Sequence, residues 1–385
     1  NAQNGDVIAL ASAPTFNISK FTTGIPTEEF RRLTNPESNL PLINRAVQGL
    51  YAPGSTFKPF SLYAALRDKP TLEDGTPFDE TFRFYDRGFI KFGRPGEEVE
   101  FQNAGRKANG SVDAVRAMAV SSDVFWYNIG VLYWRTWGRG DEDNLDPNAP
   151  QYGIQRVARM FGFSKPTGIG LSGEARGRIP DLAFKQAVNA NNPDPSSRLW
   201  LPGDIMNLAV GQGDVLVTPL QLAVAYGALA NGGTIYTPRL ARRILEGGST
   251  LGQPRVVREL PVQPSRKIDL DPAIVERIIP GLEGTLCSEE GTAYGSFKDY
   301  PCGEIMGKTG TAEIQAGKQD TALFVAVTPP RVDPANPVPQ YVVVVVVEEG
   351  GFGGSVAAPI ARRVIDALKG DPNPPGVRTY PPSTD

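Results

Sequence analysis

Apolar residues recur at helical spacing in several stretches of the chain. Phe57, Phe60, Tyr63, Ala64 and Leu66 mark one face of a helix over 55–66, opened by Pro53-Gly54. The same spacing predicts helices over 112–132, 152–161, 220–229, 271–282 and 355–368. The first of these is interrupted at Ser121-Ser122-Asp123, and Asn231-Gly232-Gly233 stops the third. Shorter apolar runs predict strands over 6–13, 305–312, 322–328 and 341–347. The valine run of the last reads as a central strand buried on both faces. Residues 14–48, 70–110 and 185–203 are rich in loop-forming residues, the second with short strands. A mainly helical lobe over about 51–289 is thus inserted between an N-terminal strand and a C-terminal group of strands. Residues 1–50 and 290–385 would then complete one sheet within a single α+β domain.

Composition narrows the chemistry. Apolar residues make up 40% and charged residues 21% of the 385, which suits a soluble globular fold. The net charge is −3 and no long basic run occurs, so nucleic acid is not an expected partner. The longest apolar run, 341–347, is too short to cross a bilayer. The opening at Asn1, directly before a strand, reads as a trimmed fragment. Most telling, the sequence holds no histidine. A Ser-His-Asp triad and a Cys-His dyad cannot be built within the chain, and His-ligated metal is excluded. A nucleophile here needs another base, for which lysine is the main alternative.

Cys287 and Cys302 lie fifteen positions apart. A bridge between them would contribute about 3 kcal/mol by closing that loop. Two free buried thiols are the alternative.

Three short motifs carry the candidate chemistry. Ser55-Thr56-Phe57-Lys58 is an S-x-x-K tetrad at a helix start. Positions i and i+3 share a helix face, so the lysine amine can reach the serine hydroxyl. The first turn also offers unpaired backbone N–H groups to a developing negative charge. Lys308-Thr309-Gly310-Thr311 lies within a predicted strand. Lys308 and Gly310 share one side of it, Thr309 and Thr311 the other. Its hydroxyls and ammonium can hold a carboxylate, and Gly310 leaves room for a ligand backbone. Ser121-Ser122-Asp123 falls between two helical segments and on its own would be an ordinary cap.

Together, and in this order, the three are the active-site set of penicillin-interacting serine enzymes. Over nearly its whole length the chain resembles the transpeptidase domain of class B penicillin-binding proteins. Further matching segments are 5–14, Asn44-Arg45-Ala46, Tyr51-Ala52-Pro53-Gly54, Gly211-Gln212-Gly213, Thr218-Pro219-Leu220-Gln221 and Gly291-Thr292-Ala293. Most members have Asn where this chain has Asp123. An ionised Asp only accepts hydrogen bonds, whereas Asn also donates. Asp at that place, and the run Ser121 to Tyr127, is similar to the elongation-type penicillin-binding protein 2 group.

The resemblance implies a β-lactamase/transpeptidase-like fold with a central antiparallel sheet flanked by helices. It implies D-Ala-D-Ala transpeptidation through a Ser55 acyl-enzyme, with no cofactor and no metal. Lys58 would take the Ser55 proton, and Ser121, beside Asp123 and Lys308, would relay a proton to the leaving D-Ala. Backbone N–H groups of Ser55 and Thr311 would form the oxyanion hole, and Thr309, Gly310 and Thr311 would bind substrate. Implied partners are peptidoglycan stem peptides, their lipid-linked precursor, β-lactams and a membrane glycan polymerase of the shape, elongation and division family. The implied location is the outer face of the bacterial cell membrane. A D,D-carboxypeptidase, a β-lactamase and a non-catalytic β-lactam sensor are the alternatives; the long separation of Ser121 from Lys308 speaks against the β-lactamase.

Overall fold

A computed structural model describes residues 1–22, 24–138, 146, 148–246, 255–313, 317–335 and 337–370. At its centre lies an antiparallel sheet of three strands, Met306–Ala312, Thr321–Thr328 and Tyr341–Val347. Thr321–Thr328 is the middle strand and is buried along its whole length. Leu323 pairs with Gly310 on one side, and Phe324 with Val345 on the other.

Successive side chains of a strand alternate between faces, and here each face meets its own core. Leu323, Val325 and Val327 pack into the large core shared with the helical lobe. Ala322, Phe324 and Ala326 pack beneath the closing helix Ala357–Leu368, with Ala358, Ala361 and Ile365. Phe324 stacks on Phe297 there, with ring centroids 5.6 Å apart.

The predicted helices form as Lys58–Asp68, Ala114–Val120, Asp123–Trp137, Gly153–Met160, Pro219–Ala230, Pro272–Cys287 and Ala357–Leu368. The Pro219–Ala230 helix shows why its sequence starts as it does. Thr218 Oγ1 accepts from Gln221 N, and Gln221 Oε1 accepts from Thr218 N, a reciprocal cap. The amide of Gln221 then donates to the carbonyls of Lys165 and Arg176, anchoring two loops to the helix start. The loop expected over 185–203 is largely ordered, with helices Leu182–Val188 and Pro202–Ala209 closing on it.

Three expectations need correction. Residues 6–13 do not form a strand: Asp6 makes one bridge to Arg239, and the segment does not join the sheet. Instead Ala2 and Gln3 meet the foot of the sheet: Ala2 N donates to the Gln340 carbonyl, and Gln3 Oε1 accepts from Gln340 N. The valine strand is an edge strand, not the central one. Its side chains are mostly half-buried, packing against a core on each face, and only Val343 is fully buried. Finally, Ser55 does not open an α-helix directly. It lies in a 3₁₀ turn, Gly54–Phe57, and the α-helix begins at Lys58.

Cys287, the last residue of the Pro272–Cys287 helix, is bonded to Cys302, with Cα atoms 5.6 Å apart. The bridge closes the loop that leads into the Met306–Ala312 strand.

Candidate active site

The 3₁₀ turn aligns residues three apart more closely than an α-helix does, which sets Ser55 and Lys58 on one side. The turn is held from three directions. Thr56 Oγ1 donates to the Pro53 carbonyl, Tyr226 Oη donates to the Thr56 carbonyl, and Trp126 Nε1 donates to the Lys58 carbonyl. Gly54 sits at φ 51°, and a Cβ there would lie 2.6 Å from the Thr311 carbonyl oxygen and 3.4 Å from Thr311 N. Only glycine lets the Ser55 turn approach the Lys308–Thr311 segment this closely. Gly310 answers from the strand: its Cβ would meet the Pro53 carbonyl at 2.9 Å. Gln212 Nε2 donates to the Thr311 carbonyl at 3.1 Å, tying the Gly211-Gln212-Gly213 turn to the same strand.

Ser121 ends the helix Ala114–Val120 in the left-handed conformation, φ 59° and ψ 40°. A non-glycine residue there stores about 1–3 kcal/mol. The conformation turns Ser121 toward Ser55: its Oγ lies 2.9 Å from Ser55 Oγ and 3.1 Å from Lys58 Nζ. Ser122 caps the next helix by accepting from Phe125 N, and Asp123 stands in its first turn.

Lys58 Nζ donates to three acceptors: the Ser121 carbonyl at 2.9 Å, Ser121 Oγ, and Asp123 Oδ1 at 2.7 Å. Among the described residues Ser55 Oγ bonds to Ser121 Oγ and not to Lys58, so the bonded path from Ser55 to Lys58 runs through Ser121. Three acceptors are what an ammonium satisfies. Working against that charge, complete burial holds the Lys58 pKa below the ordinary amine value, with Asp123 opposing the shift. The Trp126 ring lies 5.2 Å from the same Nζ.

Lys308 is fully buried, and its Nζ donates to the Thr309 carbonyl. Burial, then the neighbouring Lys58 charge, pushes its pKa well below the usual value. Two lysines side by side in a dry site disfavour double protonation, so a neutral amine is accessible here. Thr309 and Thr311 differ in setting. Thr309 is buried and its Oγ1 shares a hydrogen bond of 2.7 Å with Thr292 Oγ1, whereas Thr311 is half-exposed. Thr311 Oγ1 accepts from Gly353 N at 3.5 Å.

The three motifs of the sequence therefore meet at one place: Ser121 bonds to Ser55 across 66 residues, and Gly54 abuts Thr311. The sequence model of the penicillin binding protein transpeptidase domain matches residues 1–366. The chain belongs to that family. It is 29% identical over 383 residues to the peptidoglycan D,D-transpeptidase MrdA of Salmonella typhimurium, covering 95% of this chain and 54% of that protein. The chain spans about half the length of such curated relatives. Among solved structures, Pseudomonas aeruginosa PBP2 in complex with WCK 5153 superposes with a TM-score of 0.72 at 29% identity, covering 95% of this chain and 72% of that one. Penicillin-binding protein A of Mycobacterium tuberculosis, solved as a ceftriaxone acyl-enzyme complex, gives 0.70 at 25% identity, with the same coverage. The fold is that of the penicillin-binding protein transpeptidase domains.

Sequence reading left several participants without a role. Trp126, Gln212 and Thr292 stand in matching segments, yet their contacts to Lys58, Thr311 and Thr309 appear only in three dimensions. Asp86 and Asn103 were not singled out at all.

Proposed function

We propose that the chain is the catalytic domain of a peptidoglycan D,D-transpeptidase and that Ser55 is its nucleophile. The observation that carries this reading is Ser121 Oγ standing between Ser55 Oγ and Lys58 Nζ, at 2.9 and 3.1 Å. Family membership, and a relative at 25% identity solved as an acyl-enzyme, support it.

With Lys58 neutral, the Ser55 proton passes to Ser121 Oγ as the Ser121 proton passes to Lys58. Ser55 Oγ then bonds to the carbonyl carbon of the penultimate D-Ala of a stem peptide. The oxyanion is received by the N–H groups of Ser55 and Thr311. Collapse breaks the peptide bond, and the terminal D-Ala departs with the proton returned through Ser121. An amine of a second stem peptide attacks the ester, its proton follows the same path, and Ser55 is restored. Thr309, Gly310 and Thr311, with Lys308 behind them, bind the terminal carboxylate. Asp123 holds Lys58 in place between the two half-reactions. A β-lactam enters as a donor mimic and is held as an ester on Ser55.

For the whole protein we propose the outer face of the cell membrane as its place. Stem peptides on lipid-linked precursor are its substrates, and a glycan polymerase of the shape, elongation and division family is its partner, the polymerase on family resemblance alone. Supplying polymerised lipid-linked precursor tests the reading: released D-Ala and cross-linked stem-peptide dimers are expected, both blocked by prior penicillin. Rapid release of hydrolysed penicillin, with no dimers, would instead mark a β-lactamase.

A further inference from the structure

Behind Ser121 lies a buried carboxylate that the proton path does not use. Asp86 ends the short strand Phe84–Asp86 and is fully buried. Its Oδ1 accepts from Gly88 N at 2.7 Å and from Asn103 Nδ2 at 3.0 Å. Its Oδ2 accepts from Asn103 Nδ2 at 2.8 Å, Asn109 Nδ2 at 2.6 Å and Ser122 Oγ at 2.7 Å. Every partner is a neutral donor; no cation pairs with this carboxylate among the described residues. Burial alone would raise its pKa, but donors from Ser122, Asn109, Asn103 and Gly88 outweigh burial and hold it below the ordinary carboxylate value.

Two of those partners lead directly to the catalytic turn. Ser122 Oγ donates to Asp86 while accepting from Phe125 N. Asn103 donates to Asp86 while its Oδ1 accepts from Val124 N at 2.9 Å. The network thus grips the first turn of the Asp123–Trp137 helix on both sides of Asp123, next to the strained Ser121.

We propose, resting on the transpeptidase reading above, that Asp86 is a positioning residue which fixes the Ser121–Asp123 turn against Lys58 and supplies a second negative charge to the site. The charge reaches Lys58, where it favours the ammonium form. The groups facing Lys58 are Asp123 on its helix, Lys308 on the Met306–Ala312 strand and Asp86 on its own strand, with the Trp126 ring above. On the far side, the nearby Arg116 is already paired with Glu290. Asp86 and Asp123 thus offset part of the burial that lowers the Lys58 pKa.

The test measures second-order acylation by a fluorescent penicillin from pH 5.5 to 10, for the wild type, Asp86→Asn and Asn109→Ala, with near-UV circular dichroism as the folding control. Asp86→Asn places an N–H group among four donors and removes the charge. It is expected to acylate at least about tenfold more slowly at pH 7.5. Its acid limb is expected to move to lower pH, because the Lys58 ammonium loses a favourable neighbour. Asn109→Ala keeps the charge but loosens its grip, and should lose about threefold or more in rate with the limb unmoved. Rates within twofold of wild type in both variants, or a slowed Asp86→Asn whose acid limb superposes on that of the wild type, would overturn the proposal. Should Asp86→Asn not fold, the Asn109→Ala rate decides alone. A wild-type protein that does not acylate would sink the Ser55 reading instead, a result distinct from any of these.

Discussion

Nζ of Lys58 lies 2.7 Å from Oδ1 of Asp123, and the same nitrogen reaches Ser55 only by way of Ser121. The aspartate that departs from the usual Asn of this motif thus acts as an anionic acceptor for the lysine. It stabilises Lys58 as a cation, while burial pulls the other way.

Replacing that charge gives a pH prediction with a definite sign. Neutral Lys58 is the form that accepts a proton, so acylation rises with pH through the Lys58 pKa. Asp123 raises that pKa, so Asp123→Asn lowers it and moves the acid limb of the rate profile to lower pH. Asn keeps one acceptor oxygen, so the loss at the plateau stays below about tenfold. Stopped-flow acylation from pH 5.5 to 10 measures both; a limb that stays in place would remove Lys58 from the role of base.

Ser121→Ala cuts the path between Ser55 and Lys58 while leaving the Asp123 ion pair intact. Acylation is expected to fall by about 10²–10⁴-fold. The same rate measurement checks it, and a loss under threefold would mean that Ser55 reaches its base without Ser121.

Gly54→Ala tests the approach of the nucleophile turn to the substrate strand. The added Cβ would stand 2.6 Å from the Thr311 carbonyl, and φ 51° is unfavourable for alanine. Separating the Ser55 and Thr311 amides weakens the oxyanion hole, and a loss of about 10²-fold in acylation is expected. Unchanged kinetics in a folded variant would show that the two amides do not act together.

The legible parts of the molecule were those written in local spacing. The helix behind Ser55, the break at Ser121 and the strand carrying Lys308 each follow from side-chain period and punctuation within a dozen residues. The strand order does not. Val342, Val344 and Val346 pack toward one core and Val343, Val345 and Val347 toward the other, so the run records two apolar faces. Whether its backbone edge is paired leaves no mark in the side chains, and the strand proves to be at the edge. Val7 to Ala11 form the apolar run of a short strand, yet their segment finds a single bridge at Asp6.

The site divides in the same way. Ser55, Lys58, Ser121, Asp123 and Lys308 carry reactive groups in a known order, which made them readable. Asp86 lies 36 residues from Ser122 in a loop-rich stretch, and its only local signature is an Asx turn onto Gly88. Nothing in that signature tells that the carboxylate will be buried against the catalytic turn.

The account stands or falls on one residue. Incubation with a fluorescent penicillin, followed by proteolysis and mass spectrometry, should place a single adduct on the peptide containing Ser55. Ser55→Ala should carry none. Labelling that survives Ser55→Ala, or an adduct mapped to any other side chain, would contradict it.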